Sequence, residues 1–202
     1  MTYKKLYKIF ANIPTLKTKR FILRKITEKD ASDVYEYSSD EQVSRYLFWY
    51  PHTSIEYTKE YLYNLKNDYR IGKYFDWGIE WRTGEYTGKM IGTCGFTSFD
   101  LFNNSAEVGY VLNKEFWGQG IACEALDEVI RFGFEELLLH RIEAKFAYEN
   151  KNSLKVMEKC NMQFEGVLRS SVMLKGSYTD IGICSILGEE YLTYKLIQEF
   201  SK

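Results

Sequence analysis

Hydrophobic and polar positions alternate along several stretches of this chain, and elsewhere the apolar residues recur at helical spacing. The alternating stretches predict strands at 19–26, 74–82, 89–100, 105–112, 141–147, 163–174 and 178–187. Helical spacing and capping signals predict helices that begin near residues 27, 53, 122, 151 and 189, with a short helix or turn over 40–50. This order of elements indicates a mixed α/β (α+β) fold around one twisted, mostly antiparallel sheet.

The composition is that of a globular protein, and it excludes several classes of partner. The chain has 202 residues, of which 45 % are hydrophobic, enough for one domain with a sizeable core. The net charge is −1 and no basic stripe occurs, so we do not expect a nucleic-acid partner. No apolar run reaches the length of a membrane span. We therefore expect one domain over residues 1–202, working in the cytoplasm without a membrane partner.

The cysteines and histidines give no sign of a metal centre. The four cysteines, at 94, 123, 160 and 184, form no Cys-x-x-Cys pair, and His52 and His140 stand at unrelated spacings. We therefore expect reduced thiols, no disulfide framework and no metal.

A glycine-rich segment after the strand predicted at 105–112 is the strongest functional signal. It reads Trp117-Gly118-Gln119-Gly120-Ile121-Ala122 and leads into a predicted helix. Its glycines would let a phosphate approach the backbone, and the helix N-terminus would offer unpaired N–H groups. A P-loop does not fit, because the nearest match at 84–90 has the wrong spacing. A dinucleotide fingerprint does not fit, because Cys123 stands where Gly or Ala is needed. A simple tight turn stays open.

Two motifs, the glycine-rich segment and a second one further along the chain, resemble those of the GNAT acetyltransferase superfamily. The resemblance is closest to its RimJ/RimL-like branch of ribosomal-protein N-terminal acetyltransferases. The family loop is written Q/R-x-x-G-x-G/A; it is matched at Gly120 and Ala122, whereas Trp117 replaces Gln or Arg. The segment 150–162 resembles the branch's N-x-x-S-x-x-x-x-E-K-x-G-F, with Asn161-Met162 in place of Gly-Phe. The resemblance spans residues 16 to 190 and implies a sheet whose central strand pair splays apart.

The resemblance also implies acetyl-CoA as cosubstrate and assigns the residues that hold it. The backbone of Tyr110, Val111 and Leu112 would pair with the pantetheine arm, and residues 117–122 would hold the pyrophosphate. Asn150 would hydrogen-bond a pantetheine amide, with an Asx turn as the structural alternative. Ser153 would protonate or hydrogen-bond the leaving thiolate, with helix capping as the alternative. We interpret Gly109 as a β-bulge, with a glycine that only allows tight packing as the alternative.

On the acceptor side the sequence offers one carboxylate and a group of rings. Glu107 is our candidate for the base that deprotonates the amine, with a solvated strand charge as the alternative. A group of aromatic residues would line the acceptor cleft, with a place in the core as the equal alternative for each. They are Tyr46, Phe48, Trp49 and Trp77.

Taken together, these features predict an N-acetyltransferase that passes acetyl directly from acetyl-CoA to a primary amine. The acceptor would be a protein N-terminal α-amine or a small-molecule amine, and homodimer formation is left open. One rival is a non-catalytic domain that binds acyl-CoA as a sensor or scaffold. A second rival is a nicotinamide-binding enzyme.

Overall fold

Eight strands form one continuous sheet in the computed structural model, which describes residues 1–200. The strands are β1 (Leu16–Lys17), β2 (Phe21–Arg24), β3 (Asp76–Trp81), β4 (Met90–Asp100), β5 (Ser105–Leu112), β6 (Arg141–Ala147), β7 (Gln163–Leu174) and β8 (Ser177–Leu187). Their order across the sheet is β1-β2-β3-β4-β5-β6-β8-β7, and all neighbours pair antiparallel except β5 and β6, which are parallel. The predicted mixed α/β class with a mostly antiparallel sheet is confirmed.

Seven α-helices flank this sheet in the described part of the chain. They are α1 (Tyr3–Ala11), α2 (Ala31–Ser38), α3 (Glu41–Ser44), α4 (Ile55–Arg70), α5 (Ile121–Glu135), α6 (Lys151–Lys159) and α7 (Gly188–Phe200). Single 3₁₀ turns at Glu28–Asp30 and Lys114–Phe116 lead into α2 and towards α5. Among residues 1–200, no helix combines the length and the apolar character that a membrane crossing requires.

Buried rings attach α1 and α5 to one face of the sheet, which we call the α5 face. The ring centroid of Phe10 in α1 lies 5.6 Å from that of Trp77 in β3 and 6.4 Å from that of Phe132 in α5. All three side chains are buried in the core. Successive strand residues point to opposite faces, so Asp76 points the other way. There Tyr69 of α4 donates its hydroxyl to the Asp76 carbonyl oxygen at 2.7 Å, and we call this side the α4 face.

The parallel strands β5 and β6 are paired along only half of their length. Their register runs from the pair of Ser105 with Arg141 to the pair of Val108 with Ala144, and stops there. Beyond that point, β5 continues to pair with β4 alone, and β6 with β8 alone. The two central strands therefore part at their C-terminal ends and leave two unpaired strand edges, which we call the opening.

The N-terminal helix α1 is absent from the sequence-based prediction, which placed no element before residue 19. The side chains of Leu6 and Phe10, four residues apart, are completely buried. This i, i+4 spacing is a helical signal, but the three surrounding lysines and the short length weaken it. Tertiary packing against Trp77 and Phe132 stabilises the helix instead.

Two local details also differ from expectation. The helix predicted to begin near residue 53 is capped by Ser54, whose hydroxyl accepts from the Tyr57 N–H at 3.1 Å. The β-bulge expected at Gly109 is wrong: Gly109 pairs regularly with Gly95, and the register shifts at Thr97 on the neighbouring strand β4. A Cβ added to Gly109 would stand 3.0 Å from the Thr97 methyl group, so Gly109 is the tightly packed glycine that we considered as the alternative.

Candidate active site

The turn before α5 leaves its backbone open. Gly118 and Gly120 have φ of 77° and 71°, in the left-handed region that favours glycine. A Cβ added to Gly118 would meet no atom within 4 Å, and one added to Gly120 would meet only an Arg20 nitrogen at 3.8 Å. Gly120 is the N-cap of α5 and supplies no capping side chain, so the first N–H groups of this 15-residue helix face outward. The arrangement suits an anionic group such as a diphosphate.

Trp117 fixes the start of this turn. Its indole N–H donates to the carbonyl oxygen of Leu112 at 2.8 Å, which ties the turn to the end of β5. An indole anchor therefore occupies the position where the family pattern has Gln or Arg.

A cation does reach the turn, from a residue that the sequence did not single out. Arg20, just before β2, donates from its guanidinium to the Gln119 carbonyl oxygen at 3.0 Å. Glu124, in the first turn of α5, holds Arg20 by accepting from its Nε and from its backbone N–H, both at 2.7 Å. Thr18 donates to the same carboxylate at 2.6 Å. We call Thr18, Arg20 and Glu124 the clamp.

The clamp also determines the charge state of Glu124. Burial opposes ionisation of this carboxyl group, but the hydrogen bonds from Thr18 and Arg20 outweigh burial and hold its pKa below the usual range. A paired carboxylate thus stands beside the turn while the Arg20 guanidinium lies nearest to Gly120.

Ser153 and Tyr110 meet beside the opening. The Tyr110 hydroxyl lies 2.8 Å from Ser153 Oγ and donates to the Ser153 carbonyl oxygen at 3.2 Å. Burial raises the pKa of Tyr110, so its hydroxyl stays protonated. Asn150, not Ser153, caps α6: its side-chain oxygen accepts from the Ser153 N–H at 3.2 Å. The Ser153 hydroxyl is therefore not consumed by helix capping.

Glu107 lies on the α4 face, two residues before the opening. Its carboxylate pairs with Lys145 of β6 at 2.7 Å. Both line a cavity of about 370 Å³ together with Arg141 and Glu143, which also form an ion pair. An amine that approached Glu107 would compete with Lys145 for the carboxylate.

Comparison with known proteins identifies the family. A model described as "Acetyltransferase (GNAT) domain" matches residues 20–163, which include the open turn, the opening and the start of the segment after α6. The chain belongs to the GNAT acetyltransferase family. The uncharacterized N-acetyltransferase p20 of Bacillus licheniformis is 36 % identical over 183 residues, covering 88 % of this chain and 98 % of p20.

Solved structures of other GNAT acetyltransferases have the same fold. A GNAT-family acetyltransferase from Bacillus anthracis, 29 % identical, superposes with a TM-score of 0.76 over 88 % of this chain and 100 % of that one. RimL, a ribosomal L7/L12 α-N-protein acetyltransferase solved with coenzyme A, is 20 % identical and superposes with a TM-score of 0.73 over 88 % of this chain and 99 % of RimL. Like other members of its family, this GNAT acetyltransferase uses acetyl-CoA, and the open turn and parted strands fit that ligand.

The aromatic residues that we expected in the acceptor cleft of this GNAT acetyltransferase divide between surface and core. Trp77 does not line a cleft, because it is completely buried on the α5 face and donates its indole N–H to Pro14. Trp49 borders a groove of about 350 Å³ together with Tyr50 and Tyr57. Phe48 is 73 % exposed, and Tyr46 is half-buried beside the Arg45 guanidinium.

The tip of the β7–β8 hairpin closes over this region. Lys175 donates from Nζ to the Ser44 carbonyl oxygen at 2.6 Å, at the end of α3. The same ammonium lies 5.4 Å from the centre of the Tyr50 ring. The hairpin tip therefore packs beside Tyr50 at the border of the groove, through a contact between residues more than 130 positions apart that sequence spacing could not reveal.

Two of the cysteines, distant in sequence, meet between α5 and α6. Cys160 Sγ lies 3.3 Å from Cys123 Sγ, and Asp127 of α5 is near enough for all three ligand atoms to fall within 4.8 Å of one another. The contact lowers the pKa of Cys123 and raises that of Cys160. Because Cys123 follows the open turn directly, this thiol pair adjoins the acetyl-CoA side of the GNAT acetyltransferase.

Proposed function

We propose that this GNAT acetyltransferase passes acetyl directly from acetyl-CoA to a primary amine, with no covalent intermediate on the enzyme. The observation that carries the proposal is the conjunction of the open turn at 117–122 with the opening between β5 and β6. One feature binds a diphosphate and the other offers unpaired backbone groups to an extended chain. The two lie at the same C-terminal end of β5, as one ligand with both parts requires.

The donor-side roles follow from this arrangement. N–H groups of Gly118, Gln119, Gly120, Ile121 and Ala122, with the Arg20 guanidinium, hold the diphosphate. Backbone groups of Tyr110, Val111 and Leu112 pair with the pantetheine arm, and Asn150 contacts one of its amides through the side-chain nitrogen that capping leaves available. Acetyl-CoA supplies the activated acyl group and a thiolate leaving group. The Ser153 hydroxyl, oriented by Tyr110, donates a hydrogen bond to that thiolate.

The acceptor is a primary amine that must lose its proton before it attacks. Glu107 is the base that the sequence suggests, and its ion pair with Lys145 would have to open first. The name of RimL, an α-N-protein acetyltransferase, favours a protein N-terminal α-amine. An α-amine with a pKa of about 7.7–8.0 is partly neutral near pH 7, whereas a lysine-like amine with a pKa of about 10.4 is not.

Binding of acetyl-CoA is tested by calorimetry on the wild type and Gly120→Glu. The variant puts a carboxylate into the space where the diphosphate belongs, so we expect no measurable binding. Gly84→Glu is the matched control, because Gly84 also has a positive φ, of 83°, and open space around it, but lies in the β3–β4 turn. Unchanged affinity in Gly120→Glu would refute the placement of the diphosphate.

Transfer is tested by release of free CoA over a panel of N-terminal peptides and small amines. Binding of acetyl-CoA without acetylation of any amine would favour the rival, a sensor or scaffold domain. A thermal shift with NADH but not with acetyl-CoA would favour a nicotinamide enzyme. We further propose that residues 1–202 act as one domain in the cytoplasm, which cell fractionation tests.

A further inference from the structure

Asp76 stands at the start of a row that leads across the sheet to the opening. In the strand register Asp76 pairs with Gly95, and Gly95 pairs with Gly109. Paired residues on neighbouring strands share a face, so all three belong to the α4 face. Gly109 is the first residue of β5 beyond its last pair with β6. The row therefore connects a carboxylate to the opening across two residues without side chains.

The Asp76 side chain lies over this glycine floor. A Cβ added to Gly95 would overlap Asp76 Oδ1, which places this oxygen above β4. Neighbouring strands are about 4.8 Å apart, so Oδ1 is within about one strand spacing of Gly109.

This carboxylate is buried and lacks a charge partner among residues 1–200. Its Oδ1 is inaccessible to solvent and has no hydrogen-bond partner, although the residue as a whole is partly exposed. Burial raises the pKa of Asp76 to about 7, and the neighbouring Tyr74 hydroxyl only partly opposes this. Asp30, the other strongly buried carboxylate, is by contrast held by Arg24 at 2.7 Å. Leaving Asp76 unpaired is unfavourable for the fold, which is typical of groups kept for a ligand.

The groups that face Asp76 from the surrounding elements are all neutral near pH 7. They are Tyr37 of α2, Tyr61 and Tyr69 of α4, and Tyr74 before β3. Burial raises the pKa of each, so none of them carries charge. A positive charge is what this surrounding lacks, and a cationic ligand would supply it.

Aromatic side chains connect Asp76 with the groove at Trp49. The Tyr74 hydroxyl neighbours that of Tyr61, whose ring centroid lies 5.6 Å from that of His52. The His52 ring in turn lies 5.8 Å from Trp49 and 4.9 Å from Tyr57, both of which border the groove. Ring faces attract ammonium groups, so this path suits a cation.

We infer that the Asp76 carboxylate receives the ammonium group of the acceptor and takes its proton, which makes the acceptor a cationic primary amine. This inference rests on the function proposed above. One N–H bond of the ammonium breaks, its proton passes to Asp76, and the freed electron pair forms the bond to the thioester carbonyl carbon. The C–S bond breaks with its electrons left on sulfur. Of the two protons that nitrogen loses, one neutralises the thiolate and the other leaves through Asp76 to solvent.

Glu107 has a different part in this scheme. Its ion pair with Lys145 joins β5 to β6 just before they separate. Glu107 therefore positions the strand edges, and Asp76 is the catalytic residue.

The test compares Asp76→Asn and Glu107→Gln with the wild type, on a peptide α-amine and a lysine-like alkyl amine. We expect Asp76→Asn to lower kcat/KM for the amine about 100-fold at pH 7 while the Kd for acetyl-CoA is unchanged. Wild-type kcat/KM should level off above about pH 7, whereas in Asp76→Asn it should keep rising with pH as free amine appears. Glu107→Gln should retain the wild-type shape of the profile. The inference would be overturned if Asp76→Asn kept the wild-type pH dependence of kcat/KM, or if Glu107→Gln lost it.

Tyr74→Phe gives a second reading that does not remove the carboxylate. It removes the hydroxyl that favours ionised Asp76, so the acid limb of the kcat/KM profile should move to higher pH. An unmoved limb would contradict the role of Asp76. Thermal unfolding shows whether a loss of activity comes from a loss of fold instead. Asp76→Asn should be at least as stable as the wild type at pH 8, where the wild type buries an ionised carboxylate. A wild type that binds acetyl-CoA but acetylates no amine would refute the proposed function, and this inference with it.

Discussion

Glu124→Gln tests whether the clamp holds the N-terminal segment onto the first turn of α5. The carboxylate accepts from Thr18 Oγ1 at 2.6 Å and from the backbone N–H and Nε of Arg20, both at 2.7 Å. A glutamine keeps one oxygen for Thr18 and the backbone N–H. Its amide nitrogen then faces Arg20 Nε, donor against donor. The variant thus loses one charge-assisted bond and the attraction of the ion pair.

The magnitude follows from how far solvent screens the pair. A hydrogen bond to a charged group is worth about 1.5–3 kcal/mol, and an exposed ion pair about 0.2–1 kcal/mol. The side chains of Arg20 and Glu124 are 34 % and 21 % exposed, so an intermediate value applies. We expect the free energy of unfolding to fall by about 1.5 kcal/mol. For a chain of this size, that lowers Tm by about 3–6 °C.

The loss should also depend on pH, with a definite sign. The pKa of Glu124 is lowered in the folded protein, so its contribution is fully present above the unfolded value of about 4.3. It disappears as pH falls through the folded pKa, when the carboxylate takes up a proton. The Tm difference between wild type and Glu124→Gln should therefore be constant from pH 7 to pH 5 and shrink below about pH 4.

Thermal unfolding followed by circular dichroism measures this, with Glu136→Gln as the control. Glu136 caps the C-terminal end of the same helix and lies 3.9 Å from Arg131, and its side chain is 58 % exposed. An exposed ion pair is worth about 0–1 kcal/mol, so the control should lose about 1 °C. Equal losses in the two variants, or a Glu124→Gln difference that persists unchanged to pH 3, would refute the clamp.

Two further results follow from contacts near the opening. Tyr110→Phe removes the hydroxyl that lies 2.8 Å from Ser153 Oγ, so kcat should fall several-fold while the Kd for acetyl-CoA, measured by calorimetry, stays the same. An unchanged kcat would show that Ser153 needs no such orientation. Mild oxidation with diamide should join Cys123 to Cys160, whose sulfur atoms are 3.3 Å apart. Peptide mass spectrometry should find the linked pair in the wild type but not in Cys160→Ser, and thiols that remain free in the wild type would contradict this geometry.

Strand positions could be predicted because each strand carries its own alternation. The predicted bounds 105–112, 141–147 and 163–174 coincide with β5, β6 and β7. The open turn was also accessible, because its glycines and the following helix are adjacent in sequence. In these cases the physical cause, a two-residue period or a left-handed glycine, acts within a few residues. Partners from other parts of the chain are not needed.

Residues whose roles depend on distant partners were not accessible in this way. Arg20 reaches the turn only because Glu124, 104 positions later, holds it there. The thiol contact joins Cys123 to Cys160 across 37 positions. The spacing of four cysteines says nothing about such a pair, since α5 and α6 must first pack together.

The choice of Trp77 for the cleft illustrates a different limit. In β3 the residues Trp77, Ile79 and Trp81 alternate with Asp76, Gly78 and Glu80. This pattern already assigns the tryptophan and the aspartate to opposite faces. It does not say which face is closed by helices, and α1, which closes it, was itself unpredicted. With α1 in place, the alternation points to Asp76 as the residue on the side of the groove.

The same alternation divides the donor and acceptor chemistry around the opening. Tyr110 shares the α5 face with Trp77 through the pairs of each with Cys94, and it meets Ser153 there. Gly109, its neighbour in β5, belongs to the α4 face with Asp76. An acyl group held beside Ser153 can reach an amine at Asp76 only between the parted edges of β5 and β6. The parting of these strands is therefore required twice, to pair with the pantetheine arm and to let the two faces meet.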